Sequence, residues 1–211
     1  MKLHTIRTEY KYAELTENNI EKNPLKQFDY WLNDAISAKV NEPTAMSAVT
    51  VGVDGFPDSR IVLLKDYNEN GFTFFTSYNS NKGKAIAKNP AVGLHFFWPE
   101  LERQIRILGF AEKTSGKISD WYFSSRPVLS QIAAFVSDQS SKIPSRGFLQ
   151  SQFENVKTEM GSKNLKRPEN WGGYLIKPVK FEFWQGRESR LHDRILYENK
   201  NGSWIISRLA P

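Results

Sequence analysis

The chain has 211 residues, enough for one sizeable core, with a net charge of +6 and no cysteine. The lack of cysteine excludes a disulfide framework, thiolate chemistry and a zinc ribbon; His4, His95 and His192 are too few for a His-rich centre, so no metal is expected. The net positive charge favours an anionic partner, whether nucleic acid, acidic lipid or a phosphorylated small molecule, and its spread along the chain argues against a basic tail.

No apolar run approaches ~20 residues and the first ten residues lack a signal-peptide core, so a soluble cytoplasmic protein without a membrane partner is expected. Residues 1–20 are polar and almost aperiodic and read as an arm, loose or docked. Residues 21–211 read as a single domain. Asn23-Pro24 is a helix opening, a capping residue before a first-turn proline. Leu25, Phe28, Leu32, Ala35 and Ile36 follow at helical spacing. Strands are predicted at 45–53, 59–65 and 71–77, with Asp54-Gly55 as a hairpin turn. A short helix at 79–89 is ended by Pro90, and strands follow at 91–98 and 103–113. Residues 115–160 are helical, broken at Pro127 and Pro144. Residues 162–170 read as a loop, and 171–177, 180–185, 190–197 and 203–209 as strands, the last pair joined at Asn201-Gly202. Short turns between seven or eight strands suggest a closed or partly closed barrel, mainly β, with helices outside.

No G-x-G-x-x-G follows a strand, Gly83-Lys84 lacks the rest of a phosphate-binding loop, and no G-x-S-x-G elbow occurs. What remains is a set of anion-gripping groups. The most informative is Trp184 to Arg194, WQGRESRLHDR. On an extended strand Arg190, His192 and Arg194 share one face, a poor core and a good grip on phosphate or carboxylate; a solvated edge strand is the alternative. Arg60 and Lys65 are five apart and face opposite ways, as two solvated strand ends or as groups serving two anions. Gln104 and Arg106 share a face with Leu108 and Phe110; the amide either bonds locally or addresses a heterocycle edge. Tyr122, Arg126 and Ser130 recur every four residues, which suits a phosphate if Pro127 preserves the register, and otherwise a solvated helix face. Gln139, Ser140 and Ser141 offer donors from a loop, or form an ordinary polar turn.

In combination and order, RIVLLK, FFTS with NK three residues on, LERQ, YFSSRP, SDQSS, FWQG, RLHDR and a terminal RLAP resemble the pyridoxamine 5′-phosphate oxidases, flavoproteins of vitamin B6 biosynthesis and salvage. The resemblance runs from Arg7 to Pro211. It implies an FMN-binding split β-barrel with surrounding helices, working as a homodimer with FMN at the interface. It implies conversion of pyridoxine 5′-phosphate and pyridoxamine 5′-phosphate to pyridoxal 5′-phosphate, by hydride transfer to FMN and reduction of O2 to H2O2. Residues Arg60, Ile61, Val62, Leu63, Leu64, Lys65, Phe75, Thr76, Lys82, Gln104, Gln139, Ser140, Trp184 and Arg194 then contact FMN, the last two from the other protomer. Lys65, Tyr122, Arg126 and Ser130 meet the substrate phosphate. Arg190, Leu191 and His192 cover the substrate ring, with Arg190 and His192 as the catalytic pair. Arg7, Thr8, Glu9 and Tyr10 match a segment that closes over substrate, which makes the arm a lid.

Two positions depart from the family pattern. Asn81-Lys82 stands where Arg-Lys is usual, and Glu42 where Asp is usual. A lost charge-assisted hydrogen bond is worth roughly 1.5–3 kcal/mol, so FMN affinity falls by about one to two decades unless another group compensates. Two rival readings are a split-barrel protein that holds flavin or B6 phosphate without turnover, and a nucleic-acid binder, for which no recognised motif is present.

Overall fold

Asn23 opens α1 (Pro24–Ser37) by accepting a hydrogen bond from the Leu25 N–H at 2.8 Å, with Pro24 in the first turn. The buried stripe is Gln27, Phe28, Trp31, Leu32 and Ala35; Ile36, expected on it, is exposed. The computed structural model describes residues 9–11, 13–160 and 165–211. Strands β1 (Ala45–Val51), β2 (Pro57–Leu63), β3 (Asp66–Asn68) and β4 (Gly71–Ser77) follow α1. The turn between β1 and β2 uses Gly55 at φ +87°, a conformation that glycine adopts without strain. Next come α2 (Asn81–Lys88), β5 (Ala91–Trp98) and β6 (Arg103–Lys113). The helical middle is α3 (Gly116–Ser125), α4 (Val128–Val136) and α5 (Arg146–Met160), interrupted at the expected prolines.

Two strand expectations need correction. Residues 171–177 and 180–185 form one strand, β7 (Trp171–Gln185), with Pro178 inside it. Trp171 to Ser77 and Ile176 to Phe72 bound its register with β4, while Lys180 to Gln185 pair with β8. Pro178 falls between those two ladders, where its missing N–H costs no bond to either. The strand predicted from residue 190 begins at Asp193 instead, as β8 (Asp193–Lys200), followed by β9 (Ser203–Arg208). Glu188–Arg190 form a single 3-10 turn in which Ser189 and Arg190 have φ of 55° and 63°, so the strand alternation assumed for Arg190, His192 and Arg194 does not hold.

All nine strands join one sheet in the order β2-β1-β5-β6-β7-β4-β3, with β8 on β7 and β9 on β8. The described residues group into two compact units. One contains the residues up to Ala48, Gly93–Gly109 and Pro178–Pro211; the other contains Val49–Val92 and Phe110–Lys177. In the first unit, Phe28 packs edge-on to Phe96 and Trp31 to Phe183. Arg103, 6% exposed, lies over the Trp31 ring and donates to Asp34 at 2.7 Å and to Gln185 at 3.0 Å. The described arm is docked on this unit: the Leu15 N–H donates to Asp193 and the Leu15 carbonyl accepts from Arg208, which also pairs with Glu17 and Asp193.

The second unit seats α2 tightly against the chain end of β4. Ser80 caps the helix by accepting from the Gly83 N–H, and its hydroxyl donates to the Ser77 carbonyl at 2.7 Å. A Cβ at Gly83 would collide with the Tyr78 main-chain carbonyl, which cannot swing away as a side chain can. Gly83→Ala is therefore expected to cost about 2–3 kcal/mol, read as a lower urea midpoint with an unchanged slope.

Candidate functional site

The second unit holds a cavity of about 550 Å³ whose wall carries Ile61, Val62, Leu63, Lys65, Phe75, Thr76, Lys82, Tyr122, Arg126, Ser130 and Gln139. These residues come from β2, β4, α2, α3 and α4 and the segments between them. Of the expected cofactor contacts in this unit, Arg60, Leu64 and Ser140 do not line the cavity. Leu64 is 4% exposed and belongs to the core. Arg60 lies on exposed β2 beside the cavity, close enough for its charge to act on Lys82. Lys65 comes after β2 ends, so strand alternation does not set its direction; it faces the same cavity as Lys82 rather than a separate one.

At one end of the cavity a polar chain is closed on itself. Lys82, 6% exposed, donates to the Thr76 hydroxyl at 3.3 Å, which donates to the Gln139 carbonyl oxygen at 3.0 Å. The Ser77 N–H also donates to that oxygen, at 3.3 Å. Ser140, at φ +74°, accepts from the Asn81 N–H. Burial, then the Arg60 guanidinium, push the Lys82 ammonium below its ordinary value.

The other end is built on aromatic rings. Tyr122 stacks on Phe75 at 3.8 Å, and both lie parallel to Trp171. The Arg126 guanidinium sits 4.8 Å over the Trp171 ring. Tyr122, Arg126 and Ser130 do reach one cavity, but not along a continuous helix: α3 ends at Ser125, Arg126 is extended, and α4 begins at Val128. The buried Gln131 amide donates to the Arg126 carbonyl at 2.8 Å and pins this break. Arg126 Nη1 is buried with no hydrogen-bond partner among the described residues. An unpartnered buried guanidinium nitrogen is costly in a native protein and calls for an anion. Sequence reasoning missed Gln131 and Trp171; the first is an apolar-helix glutamine and the second a strand-opening indole, and neither carries a motif of its own.

The remaining predicted residues belong to the first unit. On the outward face of β6, β7 and β8 stand Gln104 and Arg106, Glu182 and Trp184, and Arg194. Glu182, 8% exposed, accepts from Arg194 Nε at 2.9 Å and from Arg106 at 3.2 Å. Arg194 also donates to the Ala210 carbonyl at 2.6 Å. Trp184 packs 4.7 Å from the His192 ring, and Tyr10 meets both edge-on at 5.6 Å. Gly186 permits this, because a Cβ there would strike Tyr10 at 2.7 Å. His192 Nδ1 accepts from the Arg187 N–H at 3.1 Å, which leaves Nε2 to carry the ring proton. Burial and the Arg190 charge push the imidazole below its usual range, so it is neutral near pH 7. Arg190 and Leu191 are exposed at the 3-10 turn. Glu9 is exposed; Arg7 and Thr8 lie outside the described residues.

The sheet and its surrounding helices define a class, the split β-barrel proteins. Residues 32–159 match the family model described as pyridoxamine 5′-phosphate oxidase, and residues 171–211 match the pyridoxine 5′-phosphate oxidase C-terminal dimerisation region. The chain is 52% identical over 211 residues to the pyridoxine/pyridoxamine 5′-phosphate oxidase of Haemophilus ducreyi, covering 100% of both. Among solved structures it is similar to PhzG from Burkholderia lata 383 in complex with tetrahydrophenazine-1-carboxylic acid, at TM-score 0.87 and 27% identity, covering 93% of this chain and 98% of that one. A pyridoxamine 5′-phosphate oxidase-related, FMN binding protein from Nostoc punctiforme shares the fold at TM-score 0.74 and 16% identity, covering 91% and 100%. The chain belongs to the pyridoxine/pyridoxamine 5′-phosphate oxidase family, a family of oxidoreductases.

The depressed Lys82 gives a pH signature. Between its lowered folded value and its ordinary 10.5, the unfolded chain holds more protons than the folded one, so stability from this group rises with pH across that window. Lys82→Met removes the group. The stability of the variant relative to wild type, read from urea midpoints without added anion, should therefore fall as pH climbs toward 10.5.

Proposed function

We propose that the protein is an FMN-dependent oxidase that converts pyridoxine 5′-phosphate and pyridoxamine 5′-phosphate to pyridoxal 5′-phosphate. The observation that carries this reading is Arg126: a half-buried guanidinium whose buried Nη1 has no hydrogen-bond partner among the described residues, set beside Lys65, Tyr122 and Ser130 in a family whose curated relatives are named for phosphorylated B6 compounds. Bound FMN would supply the two-electron acceptor for hydride from the substrate 4′ carbon, with O2 reduced to H2O2.

The donor set fits such a cofactor. Lys82, the Gln139 amide and nearby Arg60 suit its phosphate end, and Phe75 with β2 residues Ile61 to Leu63 offers an apolar flank for a flat ring. Lys65, Arg126, Tyr122 and Ser130 would fix the substrate phosphate. The exposed Arg190 and the neutral His192 would cover the substrate ring, His192 as an Nε2–H donor rather than a cation. Gln104 would address the ring edge, and Trp184 and Arg194 would complete the cofactor site from a second copy of the chain. This agrees with the match of 171–211 to a dimerisation region, and supports a homodimer. Tyr10, packed on Trp184 and His192, supports the arm as a lid over substrate. Asn81 contributes only its main-chain N–H to this region, so the missing family arginine is not replaced at that position.

The test is direct. The purified protein should be yellow, or become so with FMN, and release H2O2 in air with each B6 phosphate. Retained flavin without peroxide favours the rival reading of a ligand holder, and failure to take up FMN overturns the proposal. Arg126→Met should raise KM for the phosphorylated substrate by about 10- to 100-fold with kcat little changed, because a charge-assisted phosphate contact is worth roughly 1.5–3 kcal/mol. Arg190→Ala should instead lower kcat by about 100-fold while FMN titrates normally, as loss of substrate orientation does. Equal turnover by the Arg190 variant would show the assignment to be wrong.

A further inference from the structure

Glu182 has no place in the recognised site pattern, yet it is the hub of the outward face of β6, β7 and β8. It is 8% exposed, and its two oxygens are divided between two arginines, Oε1 to Arg194 Nε at 2.9 Å and Oε2 to Arg106 Nη1 at 3.2 Å. Arg194 stands opposite Trp184 in the β7–β8 register, one alternate position along the same face from Glu182. Its Nη1 is taken by the Ala210 carbonyl at 2.6 Å. The guanidinium is thus held at both ends of its fork, and its plane is set before any ligand arrives. A long arginine free to rotate would lose rotamer entropy on binding; one already clamped does not.

We propose that Glu182 is a positioning residue for flavin binding, acting through Arg194. This rests on the reading of Arg194 as an FMN contact. A carboxylate beside an anion site opposes the anion by its charge and helps only through geometry, so the two effects have opposite signs. If field alone mattered, neutralising Glu182 would tighten binding of anionic FMN. Under the proposal it weakens binding, because Arg106 and Arg194 repel each other once their shared counter-charge is gone and the fork loses its fixed plane.

The experiment is a titration of the apoprotein with FMN, followed by quenching of flavin fluorescence and by the flavin absorbance bands, in wild type, Glu182→Gln, Arg194→Ala and the double variant. Glu182→Gln should raise the FMN dissociation constant about tenfold and displace the flavin bands in the same direction as Arg194→Ala. The double variant should bind no worse than Arg194→Ala alone, since Glu182 then has nothing left to position. If Glu182→Gln does not fold, Glu182→Asp, which keeps the charge and withdraws it by one methylene, should show a three- to tenfold loss. Binding by the Glu182 variants that equals or exceeds wild type, or losses that multiply in the double variant, overturns the role of Glu182 alone. Wild-type protein that binds no FMN overturns the functional reading as well.

Discussion

Taking a cation out of water is among the costlier things a fold can do, and the second unit does it wholly for Lys82 and in part for Arg126. Lys82 is nearly buried and hydrogen-bonds to a neutral hydroxyl, with the Asp58 charge also acting on it; Arg126 keeps a buried nitrogen with no hydrogen-bond partner among the described residues. Much of the local structure serves to hold these two groups in place. The absence of a side chain at Gly83 lets α2 seat on Tyr78, Gln131 fastens the α3–α4 break, and the small core of Phe123, Ile132, Leu165 and Trp171 supports the aromatic wall. The cavity wall of this unit therefore carries positive charge that its own hydrogen bonds only partly meet.

The first unit solves the opposite problem. There several charged groups are matched within the protein: Glu182 with two arginines, Asp193 with Arg208 and the Leu15 amide, Arg187 with Glu14. Matched charges give little net energy at a surface but fix direction well.

Most elements were legible because their periodicity was strong and their punctuation chemical. Asn23-Pro24, Asp54-Gly55, Pro127 and Asn201-Gly202 all mark real boundaries. The errors have physical causes. The reading of 171–177 and 180–185 as two strands leaves out Pro178, and the exchange of ladder partners that lets one strand run through it is a tertiary fact. The alternation read across Arg190, His192 and Arg194 failed because Ser189 and Arg190 adopt left-handed conformations that neither residue type advertises. Lys65 was assigned a face by counting from Arg60, but the strand stops two residues earlier. Residues with charge or a motif were legible as candidates, and Lys65, Lys82, Tyr122, Arg126, Ser130 and Gln139 line one cavity; Gln131 and Glu182, which hold other side chains or main chain in place, carry no such signal.

The stacking of Arg126 on Trp171 has a practical side. Indole emission is sensitive to a cation over its ring and to any chromophore nearby, so Trp171 is an intrinsic optical reporter built into the cavity wall. Its brightness should register any displacement of the guanidinium from the ring.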